Sequence, residues 1–277
     1  MKALVIGCNG MLGHMVSLYL HEQGHYVVGF AHTESPFEIP TFTGDIKEFY
    51  PLLAKADFDL IVNCAVVWNK NNNIGDSIYV NSYFPHLLED LTKDMNTKVI
   101  QISTDYVFSG LKGNYTEEDI PDNTTLYGRT KALGELNNDK DLTLRLSVVG
   151  PDMNPKGSGL LNFFLTQDEE VNGFIGALWT GVTSLQIAKM IPELIKYNGI
   201  INLVPDHIIS KYELLKLFNK YMRNDSIKVN AVDRSTANTT LKQTHSLDIP
   251  DYEVMVKELA DWMNNHKEIY PHYFKEN

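Results

Sequence analysis

An α/β fold, with a doubly wound parallel sheet carrying helices on both faces, is what this chain predicts, and three observations carry the prediction. Strand-like and helix-like segments alternate from Met1 to about Gly150. The strand segments are short, almost continuous apolar runs, as expected when both faces of a sheet are covered. A glycine-rich turn joins the first run to the first helical stretch.

The elements follow in order. "KALVIG" (2–7) reads as a buried strand, and "MLGHMVSLYLHEQG" (11–24) has the apolar spacing of a helix closed by Gly24. "HYVVGFA" (25–31) is the second strand, "FYPLLAKA" (49–56) a short helix, and "FDLIVNCAVV" (58–67) the third strand, followed by the polar loop "WNKNNNIGD" (68–76). Residues 77–95 read as a helix that Pro85 must bend or interrupt, because proline lacks the N–H and crowds the preceding turn. "TKVIQIS" (97–103) is a strand, a helix carries Tyr127 and Lys131, and "LTLRLSVVG" (142–150) reads as one further strand.

Beyond Gly150 the rhythm changes. Residues 159–170, 185–197, 210–222 and 252–266 read as helices and "GIINLVP" (199–205) as a strand. This organisation predicts a Rossmann-like dinucleotide-binding domain from 1–153 with about 179–206. A smaller mixed α/β substrate-binding domain is predicted from about 154–178 with 207–277.

Composition narrows the function classes. A net charge of −11 offers no basic stripe for a nucleic-acid backbone. No apolar run approaches the roughly 18 residues of a membrane span. The two cysteines, Cys8 and Cys64, make no disulfide framework and suit a reducing cytoplasm. The opening residues carry one lysine and an apolar run broken by glycine, unlike an export leader. The nine histidines show no spacing with cysteines or acids that suggests a metal site. Trp262, Met263 and Met255 read as core residues.

"GCNGMLG" sets Gly7, Gly10 and Gly13 between strand and helix, where backbone must turn tightly and approach a pyrophosphate. This three-then-three spacing resembles the short-chain dehydrogenase/reductase superfamily. The second strand ends in Ala31, His32 and Thr33, without the acid that would hydrogen-bond the adenosine 2′-hydroxyl of NAD. NADPH or NADH is therefore the expected cofactor, with the 2′-phosphate of NADPH tolerated. His32 is a candidate for that phosphate, with an exposed loop histidine as the competing reading.

Tyr127 and Lys131 stand four apart on one helix, so both project to one side. A phenol of pKa ~10 exchanges protons poorly near neutrality, and bringing it to ~7 requires about 4 kcal/mol of differential stabilisation. A neighbouring ammonium is expected to contribute. Thr104, just past a strand end, can hold a substrate oxygen while Tyr127 protonates it.

Together, "GCNGMLG", "STDYVFSG" and "YGRTKALGE" resemble an extended short-chain reductase, most closely the dTDP-4-dehydrorhamnose reductase family. That resemblance implies hydride delivery to the C4 carbonyl of a nucleotide-linked 4-keto-6-deoxy sugar, in deoxysugar and surface-polysaccharide synthesis. By position it places Tyr127 as proton donor and Lys131 on the nicotinamide ribose. Gly10, Met11 and Leu12 fall on the pyrophosphate, with Gly7, Asn9 and Gly13 completing that loop. Cys64, Ala65, Val66 and Ser103 run along the cofactor, and Asp45 with Ile46 lies near the adenine, Asp45 having loop capping as its alternative. Thr104, Asp105, Tyr127 and Val148 meet the substrate. Asn162 is a further nucleotide contact, or else a helix-surface amide. A homodimer is a possible assembly.

Two departures fall on the substrate side. The family carries an aromatic residue after the strand "LTLRLS", where this chain has Val148 and Val149, and the acidic cluster after the third strand is missing. Asp105 is followed by Tyr106, so the carboxylate pair of the related dehydratases is absent. A nucleotide-sugar epimerase and a noncatalytic NADP-binding regulator, like that of methionine adenosyltransferase, are the alternatives. Against the regulator stands the trio Thr104, Tyr127 and Lys131.

Overall fold

The computed structural model describes residues 1–48, 57–68 and 73–274. The short helix expected over 49–56 lies outside the described residues.

In chain order the first strands are β1 (Lys2–Ile6), β2 (Tyr26–Ala31), β3 (Thr41–Thr43), β4 (Leu60–Asn63), β5 (Lys98–Ile102) and β6 (Leu142–Arg145). The short strands β7 (Val148–Val149), β8 (Glu170–Gly176), β9 (Leu178–Trp179) and β10 (Val182–Thr183) follow, then β11 (Gly199–Asn202), β12 (Ile209–Ser210) and β13 (Lys228–Ser235). The helices are α1 (Met11–Glu22), α2 (Ile74–Ile78), α3 (Phe84–Thr92) and α4 (Leu126–Leu133), then α5 (Leu160–Leu165), α6 (Ser184–Leu194), α7 (Lys211–Met222) and α8 (Tyr252–Asn265).

Seven strands form one parallel sheet in the order β11–β6–β5–β4–β1–β2–β3. The period of two along each strand divides the core between the two faces. Ala3 and Val5 of β1, Leu60 and Val62 of β4 and Ile100 of β5 join α1, α6 and α8 on one side. Leu4, Ile6, Ile61 and Val99 face Phe84 and Leu88 of α3 on the other. Both faces are thus buried, which is why these strands carry continuous apolar runs. Trp262, Met263 and Met255 of α8 lie in the first of these cores.

Successive connections leave β1 toward β2 on one side and β4 toward β5 on the other. This reversal opens a crevice beyond the carboxyl ends of β1 and β4, where open α/β sheets take ligands. Pro85 occupies the first turn of α3, and the turn before it, Tyr79–Tyr83, is π-helical. Proline's missing donor is harmless at a helix start, and the widened turn joins α2 to α3.

Past Arg145 the structure departs from the periodicity. "LTLRLSVVG" is two strands: β6 stays in the main sheet, while β7 pairs with β10. Apolar residues alternate with Thr143, Arg145 and Ser147 along the whole run, so nothing in it marks a break. Asp105 N still reaches the Leu146 carbonyl oxygen (3.1 Å), continuing the bond from Ser103 N to Leu144, but the Ser147 carbonyl accepts from Val182 N (2.9 Å), and from there the chain pairs with β10. The helix expected over 159–170 stops at Leu165, and Glu170 opens β8. β8 pairs in parallel with β13, whose half-exposed, polar-rich sequence has no apolar run to mark it as a strand.

Candidate active site

Two adjoining cavities follow the carboxyl edge of the sheet. The first, of about 330 Å³, lies between the glycine loop, the end of β2 and the end of β4. The second, of about 300 Å³, continues past the ends of β5 and β6 to α4. Gly10, Cys64, Ala65 and Val66 line both, making one trough.

The glycine loop forms the floor of the first half. A methyl group on Gly13 would lie 2.0 Å from the Gly7 carbonyl oxygen, so only glycine lets α1 start this close to β1. α1 opens at Gly10 without a capping side chain, leaving its first amides without a side-chain partner where Gly10, Met11 and Leu12 line the trough. Gly7, Asn9, His32 and Ile46 line this half, and Met11, Leu12 and Gly13 line the second. Asn9 donates through Nδ2 to the Thr33 carbonyl oxygen (2.9 Å) and the Glu34 carbonyl oxygen (3.2 Å). Its amide thus pins the turn that carries His32, whose side chain is exposed. Cys8 and Cys64 are free thiols, and burial pushes Cys8 up to about 11 and Cys64 to about 12, leaving both protonated at neutral pH.

In the second half Ser103, Thr104, Asp105, Tyr127, Lys131 and Val148 share one cavity. Thr104 caps a short turn over Asp105–Val107, accepting from Tyr106 N (3.1 Å) and donating to Asp105 Oδ1 (3.2 Å). Asp105 also accepts from the Thr239 hydroxyl (2.9 Å), and burial pushes its carboxyl up to about 6. Thr125 caps α4 by accepting from Gly128 N (3.1 Å). A methyl group on Gly128 would fall 2.5 Å from the Tyr106 carbonyl oxygen. That close approach seats Tyr127 against the Thr104 turn.

Burial pushes the Tyr127 phenol up to about 12, with the Thr104 hydroxyl acting in the opposite direction. Lys131 donates from Nζ to the Ile102 carbonyl oxygen (2.6 Å), and burial lowers it to about 8 against the pull of Glu135. Glu135 takes Arg145 through two hydrogen bonds (2.9 and 2.8 Å) and the Ser103 hydroxyl (2.7 Å), a buried network beside the lysine. The expectation that Lys131 lowers the phenol therefore needs correction. In this arrangement the ammonium is held by a carbonyl oxygen, and desolvation governs Tyr127.

Two further candidates have their polar atoms engaged by neighbouring stretches of chain. Asp45 lines neither cavity; its Oδ1 accepts from Lys47 N (2.9 Å), the loop-capping alternative. Asn162 is buried rather than on a helix surface. Its Nδ2 donates to the Gly157 carbonyl oxygen and its Oδ1 accepts from the Tyr273 hydroxyl (2.7 Å), so its amide is committed to packing.

Three residues of the second cavity's surroundings went unread in the sequence. Trp68 and Tyr106 line it, and Thr239 reaches Asp105 from 134 positions away. Trp68 and Tyr106 each follow a strand end, and that position was their available signal; Thr239 had none.

Residues 1–170 match the family described as the RmlD substrate binding domain. The chain belongs to this family. It is 40% identical over 162 residues to the probable low-salt glycan biosynthesis reductase Agl14 of Haloferax volcanii, covering 54% of each chain. It is 28% identical over 166 residues to methionine adenosyltransferase 2 subunit beta of Xenopus tropicalis, covering 55% of this chain and 48% of that one. The chain thus spans about half the length of the curated relatives it matches. Its fold is that of the Bacillus anthracis dTDP-4-dehydrorhamnose reductase solved in complex with NADP, with a TM-score of 0.76 at 19% identity over 93% of this chain and 98% of that one. Among the described residues, no helix is long and apolar enough to cross a membrane.

Proposed function

We propose that this chain is an NAD(P)H-dependent reductase acting on the C4 carbonyl of a nucleotide-linked 4-keto-6-deoxy sugar, in the synthesis of glycan. The observation that carries this reading is the convergence of Thr104, Tyr127 and Lys131 in one cavity continuous with the glycine-loop trough. Family membership, the reductase name of the Haloferax relative and the NADP in the Bacillus structure support it.

The close-packed turn at Gly13 and the uncapped start of α1 fit a pyrophosphate, which would rest on Gly10, Met11 and Leu12. When bound, the dihydronicotinamide supplies a hydride to the carbonyl carbon. The protein's part is to bind, orient and protonate. Turned away from Asp105 Oδ1, its acceptor in this structure, the Thr104 hydroxyl would donate to the carbonyl oxygen and fix its direction toward Tyr127. Raised to about 12, the phenol holds its proton at neutral pH and releases it only as negative charge develops on that oxygen. Lys131, largely ammonium below about 8, is read as holding the nicotinamide ribose beside Tyr127. Asp105 and Val148 are read as flanking the sugar. We assign 1–153 with about 179–206 to the cofactor and about 154–178 with 207–277 to the substrate.

The test is oxidation of NADPH, and of NADH in parallel, against dTDP-, UDP-, GDP- and CDP-linked 4-keto sugars. Turnover with at least one sugar is expected, with NADPH accepted because the end of β2, Ala31 to Thr33, carries no acid to repel its 2′-phosphate. Silence across the panel overturns the reading. The likeness to the methionine adenosyltransferase subunit supports a second reading, a noncatalytic dinucleotide-binding regulator. Dinucleotide binding without any turnover would favour it.

A further inference from the structure

Trp68 is the first aromatic residue beyond β4, and it lines the cavity that holds Thr104 and Tyr127. Its ring centroid lies 4.4 Å from that of Tyr127, tilted by 56°, and 6.1 Å from that of Tyr106, nearly edge-on at 77°. Despite this packing Trp68 is 52% exposed as a residue, whereas Trp179 and Trp262 are 7% and 9% exposed. An aromatic face kept wet inside a cleft, beside the group that would protonate the substrate, is arranged for a ligand with an apolar face of its own.

Sheet order tells which part of the ligand it meets. β4 and β6 flank β5, whose end carries Thr104. Trp68 therefore enters from the β4 side and Val148 from the β6 side, and Val148 has no ring to stack. The indole packs directly on the Tyr127 ring, so whatever presents its carbonyl to the phenol has its own ring within reach of Trp68. In a nucleotide sugar that ring is the keto sugar, not the base.

We infer that Trp68, flanked by Tyr106, is the stacking platform for the sugar ring and the residue that sets affinity for it. The platform comes from the β4 side because Val148 leaves the β6 side without an aromatic residue. This rests on the reductase reading above, and the experiment separates the two.

Trp68→Ala should raise KM for the accepted 4-keto sugar by about 10- to 100-fold, the order expected when the apolar contact of one large side chain is lost. Turnover at saturation should stay within about 3-fold, and Kd for NADPH should not move. Trp68→Phe should restore KM to within a few fold. A merely structural role in propping Tyr127 would instead lower kcat and leave KM alone, and that result overturns the inference. Fluorescence supplies the second measurement and uses a variant that keeps an aromatic ring in place. Because Trp179 and Trp262 are buried, dTDP-glucose should quench the wild-type signal, and Trp68→Phe should abolish the quenching. Quenching that persists in Trp68→Phe also overturns the inference. An active wild type whose KM ignores Trp68→Ala removes the platform but keeps the reductase. An inactive wild type with Trp68-dependent quenching does the reverse.

Discussion

The two halves of the trough are built on different principles. The half over the glycine loop is lined by backbone and by mostly small or apolar side chains: Gly7 and Gly10, with Cys64 and Ala65 across from them and Phe30, Ala31 and Ile46 beside them. Its shape comes from close approach, and α1 supplies the polarity through its free amides. The half toward α4 is made of large, ionisable or aromatic side chains drawn from the ends of β4, β5 and β6, from α4, and from Thr239 far along the chain. Burial moves its titrating groups away from their usual values: Asp105 and Tyr127 upward, Lys131 downward. A surface for binding phosphate can be written in one loop. A surface that moves a proton needs groups whose environments come from many segments.

Three experiments test this division, from the largest expected effect to the smallest. Tyr127→Phe should cut turnover by about 10²- to 10⁴-fold, the usual weight of a positioned proton donor, while cofactor titration stays near wild type. Near-normal turnover would show that the proton comes from elsewhere.

Gly13→Ala should act on the other half. The added methyl meets the Gly7 carbonyl oxygen at 2.0 Å, and relieving such overpacking costs about 1–3 kcal/mol. Weaker NADPH binding and a lower Tm are both expected. Unchanged values of both would mean that the loop yields freely and that its shape is not the constraint.

The mildest test is a pH profile of sugar reduction at saturating substrate. Lys131 is depressed to about 8, so the ammonium present at neutral pH is lost as pH rises through that value. Turnover should decline above about 8 by up to tenfold per unit. A profile flat to pH 10 would show either that Lys131 keeps its charge in the working complex or that its charge is not needed.

Much of the fold was legible because its signals are local. The buried runs of β1, β4 and β5 and the glycine loop state their roles within ten residues, and Tyr127 and Lys131 share a face by helical spacing alone. The misreadings arose where a local pattern was overruled by a distant partner. "LTLRLSVVG" looks like one strand, yet pairing with β10, begun by the hydrogen bond from Val182 N to the Ser147 carbonyl oxygen, divides it. The strand β8 followed an apparent helix because its partner, β13, lies more than fifty residues away and neither strand carries an apolar run. Asn162 read as a ligand contact or a surface amide until Tyr273 and the 155–157 loop closed around it.

By itself the sequence determined the parallel sheet, its open carboxyl edge, the glycine loop and the shared face of Tyr127 and Lys131. All of these follow from period, glycine placement and helical spacing, which act over a turn or two of chain. Only the tertiary structure decided the electrostatics of that pair, with Lys131 on the Ile102 carbonyl oxygen and Tyr127 raised by burial. It also decided the aromatic wall beside them, because Trp68, Tyr106 and Tyr127 come from three segments that meet only when β4, β5 and α4 are assembled. Desolvation and ring packing depend on everything that surrounds a side chain, and most of those surroundings lie far away in the chain.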